Sequence, residues 1–322
     1  MVQNIVEYLR QCTVENLFTK DSFEKSFKCW SAQIEKLAPA HTTRERWDLG
    51  DHLHEIFNQT APPEGEEKRS QSSVSKGGKN WEALVCWYLN ICTVGRNTVV
   101  VPPIKDLLPQ PILDAVTIQI GAFSFSQEPD LVALSFPNLS EYQIDKEEIC
   151  INDTHGKRVL TTSQQEKYPL MSVMNALVAR DFGEIGVHII QCKTNWKDNA
   201  QAPMLWDAVY HMKNNTDSPL NLTVGKNNYS VQHAKANTYS FVTVPTGNMN
   251  DLKPTSAPVV RLSHLSGGVY WGNKSQEGIA SSIKEMLDST LSDRSDRSTI
   301  DTMDEILQPS LLTTYKYFQF PA

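Results

Sequence analysis

The chain has no apolar run approaching the roughly 20 residues that cross a membrane, so no transmembrane helix is expected. Met1 to Gln11 lacks a basic stretch followed by an apolar core, which argues against a secretory signal. The six cysteines (Cys12, Cys29, Cys86, Cys92, Cys150 and Cys192) form no CxxC pair, and the histidines show no zinc spacing. Several cysteines stand in apolar contexts, and the expectation is reduced core thiols in a cytoplasmic, prokaryotic protein. No GxxxxGK[ST] loop is present, so no nucleotide cofactor is expected; Leu265-Ser266-Gly267-Gly268 reads as a glycine turn. Positive charge is also short. With 30 Lys and Arg against 37 Asp and Glu the net charge is -7, which argues against a protein that coats DNA. It leaves open one that confines its cations to a cleft.

What is present is an ordinary globular composition, 40% hydrophobic and 21% charged over 322 residues, enough for a substantial core. Ile5, Tyr8, Leu9 and Cys12, then Phe23, Phe27, Trp30 and Ile34, recur at helical spacing and predict an N-terminal helical region over 1–60. The stretch 61–78 is rich in Pro, Gly, Ser and charge and reads as a linker or loop. A helix then begins with Asn80 as N-cap and Trp81, Leu84, Val85, Tyr88 and Cys92 on one face. Strands are predicted at Thr98 to Val101, Asp114 to Phe125 and Leu131 to Phe136. A polar insertion over 138–182 carries a helix from Tyr168 to Arg180. Val187 to Lys193 is a buried strand, Asn199 to Met212 a helix, Ser240 to Pro245 a strand and Ile279 to Leu291 a late helix. The expected class is α/β, with a central mixed β-sheet flanked by helices in a core over 79–250 and a C-terminal extension over 251–322 packed on it.

Two short segments carry the chemistry. Pro129-Asp130 heads the apolar run Leu131-Val132-Ala133-Leu134, and Gln191-Cys192-Lys193 ends the run Val187 to Ile190. Gln191 and Lys193 are two apart on a strand and so share a face. A lysine at the end of so apolar a strand needs an anionic partner. An oxygen-ligand set with a lysine beside it is what magnesium-assisted phosphodiester hydrolysis requires.

This pattern resembles the PD-(D/E)XK nuclease superfamily, and more narrowly its type II restriction endonucleases. The resemblance rests on Pro129-Asp130, on Gln191-x-Lys193, and on a helix before and after them, and it covers roughly residues 79–245. It implies a restriction-endonuclease-like core of helix, three-stranded meander, helix and strand. It also implies Mg²⁺ as cofactor, double-stranded DNA as partner, a homodimer, and a place in a restriction–modification system. By resemblance, Asp130 and Gln191 hold the metal with the Cys192 carbonyl, and Lys193 orients the attacking water and contacts the scissile phosphate. The pattern departs from the family in carrying Gln191 where an acidic residue is usual. The missing carboxylate is expected from Glu82, with Glu128 as the alternative. The plain reading of Glu82 is a solvated helix residue, and that of Asp130 and Lys193 a turn residue and a strand-end lysine. Asn195, Lys197, Lys226, Asn227, Asn228 and Lys235 are the amides and cations expected to meet DNA, against a reading as plain surface loops.

Three rival functions remain. One is a repair or recombination nuclease of the same superfamily. Its exonuclease branch is disfavoured, because Leu205 stands four residues after Gln201 where a tyrosine would be expected. The second is a non-catalytic DNA-binding protein with a decayed site, and the third is a structural adaptor. Cys192 is expected to be a core thiol, and His188 a core or supporting residue.

Overall fold

A computed structural model describes residues 3–60, 71–125, 129–162, 167–195, 222–245, 252–291, 299–306 and 315–319, and only the backbone of 71–76 and 125. Glu128, Lys197 and the helix expected over 199–212 lie outside the described residues.

The N-terminal region is helical, as its periodicity predicts: α1 (Ile5–Phe18), α2 (Asp21–Leu37), α3 (Thr43–Asp48) and α4 (Leu53–Phe57). The Asn4 side chain caps α1 by accepting from the Glu7 N–H at 2.9 Å. Thr42 and Glu45 form a capping box on α3. Phe23, Phe27, Trp30 and Ile34 line the buried stripe of α2.

The next helix, α5 (Gln71–Cys92), corrects two expectations. It takes in 71–78, where a linker was expected; that stretch is too polar to show a helical period. Asn80 is therefore no cap. It is inside the helix, buried, and its amide donates to Ser26 Oγ at 2.7 Å, tying α5 to α2.

The remaining elements are β1 (Thr98–Val101), α6 (Gln110–Ala115), β2 (Ile118–Ile120), β3 (Phe123–Phe125), β4 (Leu131–Ser135), α7 (Leu170–Asp181), β5 (Gly186–Lys193), β6 (Leu222–Val224), β7 (Ala236–Thr243), α8 (Ala257–Leu262), β8 (Gly268–Trp271), β9 (Ser281–Ser282), α9 (Glu285–Ser289) and α10 (Thr299–Ile306). The single strand expected over 114–125 is instead the end of α6 and a hairpin. Pro109 and Pro111 open the helix, and Gly121, at φ +58°, turns the chain between β2 and β3. The late helix expected over 279–291 shrinks to the five residues of α9, preceded by β9. The α7 helix lies within the insertion, as expected.

The main sheet is mixed, in the order β1-β4-β5-β7-β8-β9. β4 runs antiparallel to both of its neighbours, β1 and β5, and β7, β8 and β9 continue parallel to β5. Alternation along the strands fills two layers. Val100, Leu131, Ala133, Ile190, Cys192 and Val242 pack on α5 and the N-terminal helices. Val99, Val101, Val132, Leu134, Val187, Ile189 and Phe241 pack on α6, α7 and the start of α1. Trp81, Leu84 and Trp87 of α5 are wholly buried; each contributes roughly 1.5–3 kcal/mol by leaving water. A second sheet, β3-β2-β6, flanks the main one. No described helix is long and apolar enough to cross a membrane.

The outer edge of β1 is closed by side chains. Asn90 of α5 donates to the Val100 carbonyl at 2.7 Å and accepts from the Val100 N–H at 3.2 Å, as a neighbouring strand would. The guanidinium of Arg10, fully buried, donates to the carbonyls of Thr98 and Arg96 at 2.9 Å and to Thr93 Oγ1 at 2.7 Å. Glu7 pairs with it at 3.1 Å.

Candidate functional site

The pairing of β4 with β5 sets the geometry. Leu131 faces Ile190, so the next pair outward is Asp130 and Gln191, at the end of the ladder. There the backbone turns away and Asp130, half-buried, meets β5 through its carboxylate. Its Oδ2 accepts from the Cys192 N–H at 2.8 Å and from the Gln191 amide nitrogen. Gln191 and Lys193 point to the layer that holds Val187 and Ile189, while Cys192 points to the α5 layer. Asp130 and Gln191 are thus brought together at one strand end, with Lys193 on the same strand face as Gln191.

Glu82 reaches the same place from α5, over the strand face that carries Cys192. Its carboxylate accepts from Lys79 Nζ at 2.9 Å, and its side chain is 16% exposed against 73% for Lys79. Burial pushes the Glu82 carboxyl above its ordinary value of 4.5. The Lys79 hydrogen bond and the Lys193 charge oppose this, and the Asp130 charge adds to it. Burial likewise raises the Asp130 carboxyl above its ordinary 3.8, against the Cys192 N–H, the Lys193 and Lys79 charges and the Gln191 amide. The site is therefore a pair of carboxylates reluctant to ionise, moderated by two lysines. Among the described residues no hydrogen bond or ion pair holds the Lys193 ammonium.

Tyr239 escapes the sequence reading. Its buried hydroxyl donates to the Gln191 side-chain oxygen at 2.9 Å. Sequence alone does not reveal it, because only the parallel register of β5 and β7 brings a residue 48 positions downstream onto the Gln191 face. Lys79 is the second addition; the helix start expected at Asn80 leaves it in a loop.

Other expected residues lie elsewhere. Lys226, Asn227, Asn228 and Tyr229 form a tight turn with Asn227 and Asn228 at φ +52° and +67°, a conformation that asparagine tolerates. The Asn227 amide donates to Asp114 at 2.8 Å, and Lys226 lies 3.5 Å from the same carboxylate. Lys235 pairs with Glu184 at 3.6 Å, and its N–H bonds Ile185, eight residues before Lys193 along β5 and so roughly 26 Å from it. This group lies at the far end of the strand from Asp130. Asn195 follows β5 and is half-buried beside the site.

Cys192 is buried, and burial holds its thiol well above the ordinary range, as befits an inert core thiol. His188 is buried on the same strand face, bonded to Thr238 Oγ1 at 2.9 Å; burial lowers it to about 4, so it is neutral at physiological pH. The glycine turn expected at 265–268 leads into β8. Gly268 has φ +88°, and a Cβ on Gly267 would lie 2.8 Å from the Tyr239 carbonyl.

Among the described residues no three His, Cys, Asp or Glu side chains converge as a metal cluster, so the available donors are mixed: two carboxylates, one amide and backbone carbonyls. In the present arrangement the Gln191 amide turns its nitrogen to Asp130 and its oxygen to Tyr239. Turning the amide over presents the oxygen beside Asp130, and the Tyr239 hydroxyl, both donor and acceptor, still has a partner. Every donor is then oxygen, the set that suits a hard divalent cation. No family model matches the chain, and no curated protein matches it.

Proposed function

We propose that the chain is a Mg²⁺-dependent endodeoxyribonuclease of the restriction-enzyme type, cutting both strands of duplex DNA as a homodimer. The observation that carries this reading is the bonding of Asp130 to Gln191 and to the Cys192 N–H at the end of one strand pair, with Lys193 on the Gln191 face and Glu82 within reach of their charges. The order helix, three strands with antiparallel neighbours, then a strand parallel to the third is compatible with the core that the resemblance implies, whose second helix lies outside the described residues.

The residues fit the metal. Asp130, Gln191 with its amide turned, the Cys192 carbonyl and Glu82 would hold it. The Cys192 N–H is directed at Asp130, so its carbonyl faces the same side of the strand. When bound, Mg²⁺ supplies Lewis acidity toward the phosphate and lowers the pKa of water. Lys193 then does two things: its ammonium contacts the scissile phosphate, and it orients the attacking water by hydrogen bonding. Burial around Asp130 and Glu82 keeps bulk water from competing for the same donors, which strengthens each charge interaction.

The test is incubation of the purified protein with unmethylated phage DNA in Mg²⁺ and in EDTA. Discrete bands in Mg²⁺ alone are expected, and Asp130→Ala or Lys193→Ala should abolish them while duplex binding survives. Retained cleavage in either variant overturns the site assignment, and a smear in place of bands favours a repair-type nuclease. The present Gln191–Asp130 hydrogen bond supports a second reading, a DNA-binding protein whose site has lost its metal. Duplex binding with intact DNA in both lanes would select it.

A further inference from the structure

Lys79 stands at the exposed margin of the site. It is one helical turn before Glu82, its ammonium is 2.9 Å from the Glu82 carboxylate, and its side chain is 73% exposed. The carboxylate it covers is mostly buried, on the α5 surface that packs against Cys192, whose N–H holds Asp130. The ion pair is therefore lopsided. One partner is fixed in the site wall and the other reaches from solvent across its entrance. In an exposed pair of this kind the attraction is worth little, up to about 1 kcal/mol, so the lysine is easily drawn to a stronger anion. A phosphodiester brought to Lys193 would enter beside it. The charges of Lys79 and Lys193 are the two cations felt by Asp130, so both flank the same carboxylate.

Resting on the nuclease reading, we infer that Lys79 is a DNA-backbone contact of this site, exchanging the Glu82 carboxylate for a phosphate oxygen when duplex DNA binds. The exchange does two things at once. It adds one phosphate contact near Asp130, and it uncovers the Glu82 carboxylate for the cation that Asp130 and Gln191 would share. Substrate and cation binding are then mutually supportive, because each removes a charge that opposes the other.

The test is fluorescence anisotropy of a short labelled duplex of mixed sequence in EDTA, followed between about 50 and 200 mM salt. Lys79→Ala should lower affinity about three- to tenfold and flatten the slope of log K against log salt by about 0.9, the value of one phosphate contact. Lys79→Arg, which keeps the charge, should restore the slope. Lys28→Ala is the control: Lys28 has 72% side-chain exposure and its own ion pair with Glu24, but lies on α2. Its slope should match the wild type. A wild type with no duplex affinity at the low end of salt overturns the nuclease reading and this inference with it. Wild-type binding with an unaltered slope in Lys79→Ala overturns this inference alone.

Discussion

Replacing Gln191 by glutamate gives the acidic residue usual in the nucleases that the sequence pattern resembles, yet in this chain it should weaken the fold unless a cation is supplied. The wild-type amide nitrogen donates to Asp130 Oδ2, and its oxygen accepts from Tyr239 at 2.9 Å. In Gln191→Glu the Tyr239 bond persists, but the second carboxylate oxygen faces Asp130, already raised by burial. Two carboxylates at hydrogen-bond distance share one proton. Holding that proton two to three pH units above the ordinary range costs about 3–4 kcal/mol once the pH exceeds both values. The sign follows from proton counting. The folded variant binds more protons than the unfolded chain, so its stability falls as pH rises from the ordinary carboxylate range and levels off above the shared value. At the roughly 2 °C per kcal/mol suited to a chain of this size, the deficit at pH 8 is about 6–8 °C in Tm and shrinks to about 2 °C at pH 5. Mg²⁺ at a hundred times its Kd would return about 2.7 kcal/mol. Differential scanning fluorimetry at pH 5 and pH 8, each in EDTA and in Mg²⁺, reads all four conditions. An unchanged Tm at pH 8 in EDTA would refute the Gln191–Asp130 contact. A deficit that Mg²⁺ does not recover would refute the cation site.

Other consequences are open to similar tests. Asn90→Ala leaves the Val100 N–H without its side-chain partner and the Val100 carbonyl with only the weak Cys86 thiol donor, and at about 1–3 kcal/mol for an unpaired buried group it should lower Tm by several degrees in thermal melts. Arg10→Met strips the partner from Glu7 and the donors from the Thr98 and Arg96 carbonyls; about 3–5 kcal/mol should be lost in urea unfolding, with m unchanged. Burial raises the Glu82 carboxyl above 4.5, so its folded form loses stability as pH climbs through that range. Glu82→Gln removes this term, and the Tm difference between variant and wild type should grow from pH 4.5 toward neutrality. A difference that stays flat across the range would refute the burial argument.

The elements legible in the sequence are those whose apolar period is clean. The helices with Phe23, Phe27, Trp30 and Ile34, and with Trp81 to Cys92, announce themselves, as do the strands over 98–101, 131–135 and 187–193. Where the run was polar or broken the reading failed. The first turns of α5 show no stripe. The first half of β7 opens with Ala236-Asn237-Thr238, and the apolar residues of α6 and β2 merge into one apparent strand. The site divides the same way. That Gln191 and Lys193 share a face, and that Asp130 heads a strand, follow from local alternation and apolar runs; their meeting depends on the β4–β5 pairing. Tyr239 depends on the register between two parallel strands, set by tertiary packing. Asn227 and Asn228, expected to face DNA, serve a left-handed turn, a demand that composition does not distinguish from base recognition.

The edge of β1 has a further implication for assembly. A strand at the margin of a sheet is normally an invitation to another copy of the same chain. Here Asn90 and Arg10 have already answered it, and the opposite margin, β9, offers only two residues. Among the described residues, the main sheet therefore offers a second copy little free strand edge to extend. For the proposed two-fold pair this favours a contact through helices, loops or the small β3-β2-β6 sheet, whose hairpin holds Phe123 72% exposed. The spacing between the two proposed sites of such a pair would then be set by side-chain packing at that contact, and so be adjustable by substitution there without disturbing the strand register that assembles each site.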